Sequence, residues 1–261
     1  HDSSRAVYGG RGHLLMLLGR PDAALACLQE GAQRVESGAL WLQQADLHTE
    51  LGQPAEARRC VQEARQRMPL LSRAGRRWLL GRESDAAYEA GDLDAARTLA
   101  QQHGQGFFKE LVERMDDPAA PRRRVVLPVA FVRQHRMTCA PATLAALSRY
   151  WDMPVDHLEL AEAICYDGTP YASERKWAQA QGWIARDFTV TWEAVQQLVD
   201  RGIPIALTTA EADSSHLQAI IGYDQGRQTL QIRDPYDPRR TEFIAKPFFE
   251  RYQPMGPRGM V

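Results

Sequence analysis

The chain has 261 residues, 44% of them hydrophobic and 25% charged, with a formal net charge of -1. That length suits one large or two ordinary domains of globular composition, and the balanced charge gives no overall reason to expect nucleic-acid or membrane-surface binding. No stretch is apolar enough to span a bilayer, no secretory signal is visible, and the four cysteines show neither a pairing pattern nor metal-ligand spacing. A reduced, cytoplasmic setting is the simpler expectation. A secreted or periplasmic one stays open, because the sequence begins at His1 without an initiator methionine.

The first half reads as repeats. Leu18-Gly19-Arg20-Pro21-Asp22-Ala23-Ala24 recurs as Leu51-Gly52-Gln53-Pro54-Ala55-Glu56-Ala57, and again as Ala90-Gly91-Asp92-Leu93-Asp94-Ala95-Ala96. The first interval is 33 residues, and the second is longer, as an insertion around Met68 to Arg73 would make it. In each unit the glycine ends one helix, a polar pair turns the chain, and alanines let the next helix pack closely. Cys27 and Cys60 fall at the same point of the repeat and should be small core residues. The pattern resembles a tetratricopeptide array, whose period is ~34 residues. It is irregular in its third unit and lacks most of that repeat's aromatic positions. An all-α domain is expected over residues 1–117, either offering a groove to a peptide or protein partner or serving as scaffold.

Residues 118–124, rich in proline and in Arg122-Arg123-Arg124, read as a linker to a second domain over 125–261. Val125 to Val132 is an apolar run expected to be a strand. A helix should follow from Cys139 to about Trp151, and another from Val155 to Ile164. Asp167-Gly168-Thr169-Pro170 turns into a helix from Glu174 to Gln181, with Ser173 as cap and Gly182 as stop. Trp183 to Thr189 should be a strand, Thr191 to Arg201 a helix stopped by Gly202, and Ile203 to Thr208 a strand. Ser214 to Tyr223 and Gln228 to Arg233 then form a hairpin around Asp224-Gln225-Gly226-Arg227. Helices first and antiparallel strands later is an α+β order.

The chemistry concentrates at four residues. Cys139 opens an apolar helix, with Thr138 placed to cap it and Pro141 in the first turn. Its sulfur would meet the positive end of the helix dipole, which favours the nucleophilic thiolate. Free N–H groups of that turn supply one oxyanion donor, and the Gln134 amide a second. His216, on a strand, is the candidate base. With the turn centred on Gln225, paired residue numbers sum to about 450, which sets Asp234 directly opposite His216 as its orienter. Taken singly, the cysteine reads as an inert apolar group, the histidine as a satisfied strand residue and Asp234-Pro235 as a turn. Together they make a catalytic set. Trp183, Trp192 and Tyr236 are candidates to line the substrate cleft, although aromatics at such spacing usually belong to a core.

From Val125 onward the sequence resembles the papain-like cysteine peptidases related to the double-glycine leader peptidases of bacterial bacteriocin exporters, family 39 of the cysteine class. Gln134, Cys139 heading Ala140-Pro141-Ala142-Thr143-Leu144, Gln181-Gly182-Trp183, His216 before Ala219-Ile220-Ile221-Gly222-Tyr223, and Asp234-Pro235 carry the resemblance. It implies a papain-like fold with Cys139 as nucleophile, His216 as general base and acid, Asp234 as orienter and Gln134 in the oxyanion hole. The expected function is hydrolysis of a peptide or protein without metal or organic cofactor. The exporter-linked members carry glycine directly after the nucleophile, where this chain has Ala140, which bears on double-glycine specificity. An acyltransferase or transglutaminase-like enzyme would use the same groups, and a non-catalytic peptide-binding module is the third alternative.

Overall fold

The computed structural model describes residues 2–116, 121–212 and 214–261. The chain divides into two compact units, 1–117 and 118–261. Of the expected linker, 118–120 lie outside the described residues. Residues 121–123 have no regular structure, and a strand begins at Arg124.

The first unit is helical: α1 (Asp2–Leu17), α2 (Pro21–Val35), α3 (Gly38–Glu50), α4 (Pro54–Gln66), α5 (Arg73–Glu89), α6 (Leu93–His103) and α7 (Gly106–Met115). Three of its turns share one geometry. Gly19, Gly52 and Gly91 all have positive φ, at 66°, 71° and 83°. In each, the glycine N–H bonds three residues back and the next N–H five back, as in Arg20 to Leu15 at 2.9 Å, Gln53 to His48 at 2.8 Å and Asp92 to Ala87 at 2.9 Å. This is the Schellman closure, which satisfies orphan carbonyls and needs a residue without Cβ strain in the left-handed region. Ala24, Ala57 and Ala96, each five residues past its glycine, are wholly or almost wholly buried, as are Cys27 and Cys60. The longer second interval arises from the six-residue α4–α5 connection, 67–72, and from a 17-residue α5 against a 13-residue α3.

The second unit is α+β. Its helices are α8 (Cys139–Tyr150), α9 (His157–Ile164), α10 (Tyr171–Ala180), α11 (Trp192–Val199) and α12 (Ala245–Tyr252). Its strands are β1 (Arg124–Val126), β2 (Asp187–Thr189), β3 (Ile205–Ala210), β4 (Ser215–Asp224), β5 (Thr229–Arg233), β6 (Arg240–Ile244) and β7 (Arg258–Met260). They form one antiparallel sheet of order β2-β7-β3-β4-β5-β6, with β1 added on β4. Leu144 of α8 packs with Ile205, Leu207, Ile220, Leu230 and Ile232 in the central core, all of them fully buried.

Three elements differ from the sequence expectation. The strand expected over Val125 to Val132 ends at Val126. Leu127 N–H still reaches Ile221 C=O at 2.7 Å, but Pro128 has no N–H with which to continue the ladder. The strand expected over Trp183 to Thr189 is confined to Asp187–Thr189, because Trp183 N–H is spent closing α10 on Ala178 C=O. Ser173 does not cap α10. The helix starts at Tyr171 behind Pro170, and Ser173 N–H already bonds Pro170 C=O within the first turn.

The β4–β5 register also departs from the expected one. Asp224 faces Thr229, so the turn is longer than assumed and paired numbers sum to 453. A bulge between Ile220 and Gly222 lowers that to 452 for Ile220↔Ile232 and Ala219↔Arg233. His216 and Asp234 are therefore not cross-strand partners; continuing the ladder sets Asp234 two residues away, on the diagonal. An even offset keeps both side chains on one face, and diagonal neighbours lie within reach of long side chains.

Candidate active site

The residues expected to act meet at the start of α8. The preceding loop turns at Met137, whose φ of +63° lies in the left-handed region. Thr138 occupies the N-cap position without capping. Its hydroxyl accepts from His135 N–H at 2.8 Å and donates to His135 C=O at 3.3 Å, so it braces the loop and leaves first-turn N–H groups uncommitted. One of these, on Ala140, is among the groups that favour the Cys139 thiolate.

Strand β4 brings His216 to the sulfur. Thr143, one helical turn beyond Cys139, donates its hydroxyl to Leu217 C=O at 3.0 Å and so fixes α8 against the residue next to His216. His216 Nε2 lies 2.9 Å from Asp234 Oδ1. Cys139 is the other group that acts on the ring, and with Nε2 engaged the nitrogen left for sulfur is Nδ1. Asp234 Oδ1 accepts a second bond, from Tyr236 N–H at 2.8 Å, which holds the carboxylate in its turn. Gln134 N–H donates to Pro235 C=O at 3.0 Å, joining the loop before Cys139 to the turn that carries Asp234.

Burial pushes the Cys139 thiol up, but hydrogen bonds from His216, Leu217 and Ala140 outweigh it and bring the pKa below the ordinary thiol value. Burial likewise lowers His216, yet its bonds to Asp234 and Cys139 raise it to about 9. Both shifts favour a thiolate facing an imidazolium at neutral pH. The Gln134 Oε1 atom is buried and without a hydrogen-bond partner.

Of the three aromatics, Tyr236 lies beside the site: it is 75% exposed, and its backbone holds Asp234. Trp183 stacks edge-on with Trp177 at 5.9 Å and lines an apolar cavity of about 410 Å³ with Leu144, Leu147 and Met260. Trp192 packs on buried Tyr223 at 5.8 Å, seven residues along β4 from His216 and on the order of 20 Å away at strand rise. Trp192 is thus a core residue and not a cleft residue, because α11 covers the far end of β4.

Two contributors escaped sequence reasoning. Thr143 stood within the quoted helix motif, and its signal is a polar residue four after Cys139, on the same helical face. Glu174 had none: it sits in α10, 3% exposed, pushed up to about 8 by burial and then by the negative charges of Cys139 and Asp187. Among the described residues no group of three or more His, Cys, Asp or Glu side chains is placed to hold a metal. No helix among them is long and apolar enough to cross a membrane.

No curated protein matches the sequence. Among solved structures, the chain is similar to the peptidase domain of Streptococcus ComA, a bi-functional ABC transporter involved in a quorum sensing pathway. The two are 20% identical over 52% of this chain and 96% of that one, with a TM-score of 0.40. The model of the Peptidase_C39 like family matches residues 126–260, which is more than half of the chain and includes Cys139, His216 and Asp234. The chain belongs to the Peptidase_C39 like family, and the match supports a cysteine peptidase.

Proposed function

We propose that the second unit hydrolyses peptide bonds in a peptide or protein substrate through Cys139, His216 and Asp234. The carrying observation is His216, whose Nε2 is 2.9 Å from Asp234 while the Cys139 sulfur acts on the same ring and raises its pKa. In this reading the Cys139 thiolate attacks the scissile carbonyl carbon. The developing oxyanion is held by first-turn N–H groups of α8 and by the Gln134 amide. His216 gives its proton to the departing amine, then takes one from the water that hydrolyses the thioester. Asp234 fixes the ring so that Nδ1 faces sulfur. Thiolate and imidazole carry every step, so no metal or organic cofactor is invoked. Tyr236 belongs to the rim that a substrate passes.

The first unit is read as tetratricopeptide-like hairpins that dock a substrate or partner protein, supported by three equivalent helix closures at Gly19, Gly52 and Gly91.

The test is mass spectrometry of the full chain with a peptide library, with and without an added amine. Hydrolysed products that vanish in Cys139→Ala support the peptidase. Amine-capped products would move the assignment to acyl transfer, and activity retained in Cys139→Ala would remove the mechanism.

A further inference from the structure

Glu174 is a buried acid with one carboxyl oxygen, Oε2, left without a hydrogen-bond partner. It is 3% exposed, and the charges that act on it, Cys139 and Asp187, are both negative. Asp187 is already served by Arg175 at 2.7 Å and by the Tyr171 hydroxyl at 2.7 Å, so Glu174 alone lacks a cation. Burying a carboxyl without a partner costs several kcal/mol, which marks such a group as one whose partner arrives with a ligand.

The neighbouring segments show the same surplus. Gln134 Oε1, just before Cys139, and Thr169 Oγ1, just before α10, are also buried and without partners. The α9–α10 connection bearing Thr169 is tied to the Cys139 loop at Met137. Cys165 donates its thiol to Met137 C=O at 3.2 Å, and a Cβ at Gly168 would touch Met137 Cε at 3.7 Å. Three unpartnered buried oxygens therefore stand on segments flanking the nucleophile. What satisfies them is a group with several N–H donors and a positive charge, and an ammonium or guanidinium has both.

We propose that Glu174 is the specificity-determining residue of the Cys139 site and selects substrates with a lysine or arginine side chain next to the bond attacked. This rests on the peptidase reading and names its substrate class. The basic group would pair with the Glu174 carboxylate and donate its remaining N–H groups to Thr169 Oγ1 and Gln134 Oε1. A peptide with an apolar side chain there would leave all three oxygens unserved.

The experiment uses the full chain and pairs of peptidyl acyloxymethyl ketones that differ only by lysine or norleucine, scanned through the positions adjoining the electrophile. Rates of Cys139 labelling are read by intact mass. At one position lysine should label at least about tenfold faster than norleucine, a preference worth roughly 1.4 kcal/mol. Glu174→Gln should bring that ratio to near one. The ratio should also rise as pH passes about 8, where Glu174 ionises, and this second measurement needs no variant. A ratio near one at every position, a ratio unchanged in Glu174→Gln, or a ratio flat with pH overturns the proposal. If no probe of either kind labels Cys139, the peptidase reading itself fails, and the proposal with it.

Discussion

The two units of this chain are organised by opposite kinds of contact. In the helical unit each closure is decided within about six residues: a glycine in the left-handed region, two backbone bonds, and an alanine five residues on that buries against its neighbour. In the second unit the decisive contacts join residues far apart in sequence, such as Thr143 with Leu217 and Gln134 with Pro235. Local rules can be repeated along a chain. Long-range ones are made once and fail together, so damage in the second unit should spread further than damage in the first.

The largest effect should come from Cys139→Ala, which removes the sulfur while the rest of the site stays in place. Peptide cleavage should fall at least about 1000-fold with the far-UV circular dichroism unchanged. The pH profile of the intact protein sharpens the same point. Because Cys139 lies below the ordinary thiol value and His216 near 9, alkylation by iodoacetamide should proceed at pH values where a free cysteine is still protonated. As pH rises through about 9, His216 loses the proton that the departing amine requires, and kcat should decline.

Next is the buried ion pair of the sheet. Arg227 and Glu242, both under 10% exposed, meet at 2.8 Å, and burial raises the Glu242 carboxyl against the pull of Arg227. Arg227→Met strands that carboxylate, so urea denaturation should register a loss of about 3–5 kcal/mol, with hydrogen exchange accelerating across β4, β5 and β6. Gly222→Ala tests the crossing of β1 on β4, since a Cβ there would run into the Val125 carbonyl oxygen. Its expected cost is about 1–3 kcal/mol. The smallest effect belongs to the helical unit. Gly52→Ala leaves packing untouched, because nothing lies within 4 Å of the added Cβ, and strains only a φ of +71°. A loss of about 1 kcal/mol is expected by thermal denaturation. A larger loss at Gly52 than at Arg227 would reverse the contrast between the units.

The same contrast explains what could be read in the sequence. Helix stops at Gly182 and Gly202 were legible because they obey the local closure seen in the first unit, with Trp183 N–H on Ala178 C=O and Ile203 N–H on Leu198 C=O. The facing of His216 and Asp234 was legible only to the parity of the strands. The turn proved longer than assumed and the bulge removed one residue of the discrepancy, neither of which periodicity reveals. The hydroxyl of Thr138 shows a further limit: the residue type suits a cap, yet a loop carbonyl and N–H at His135 compete for it and win. Glu174 was invisible because a lone acid on a helix carries no pattern; only packing shows that it is enclosed.

The bond from Gln134 N–H to Pro235 C=O spans about a hundred residues of sequence and ties the loop before Cys139 to the turn that carries Asp234, as a latch would in the proposed site. With it shut, the amide side chain and the orienting carboxylate travel as one body. Once it opens, both leave the sulfur together. Heat should accordingly silence the protein at the temperature where this latch gives way, some degrees before the sheet beneath it melts.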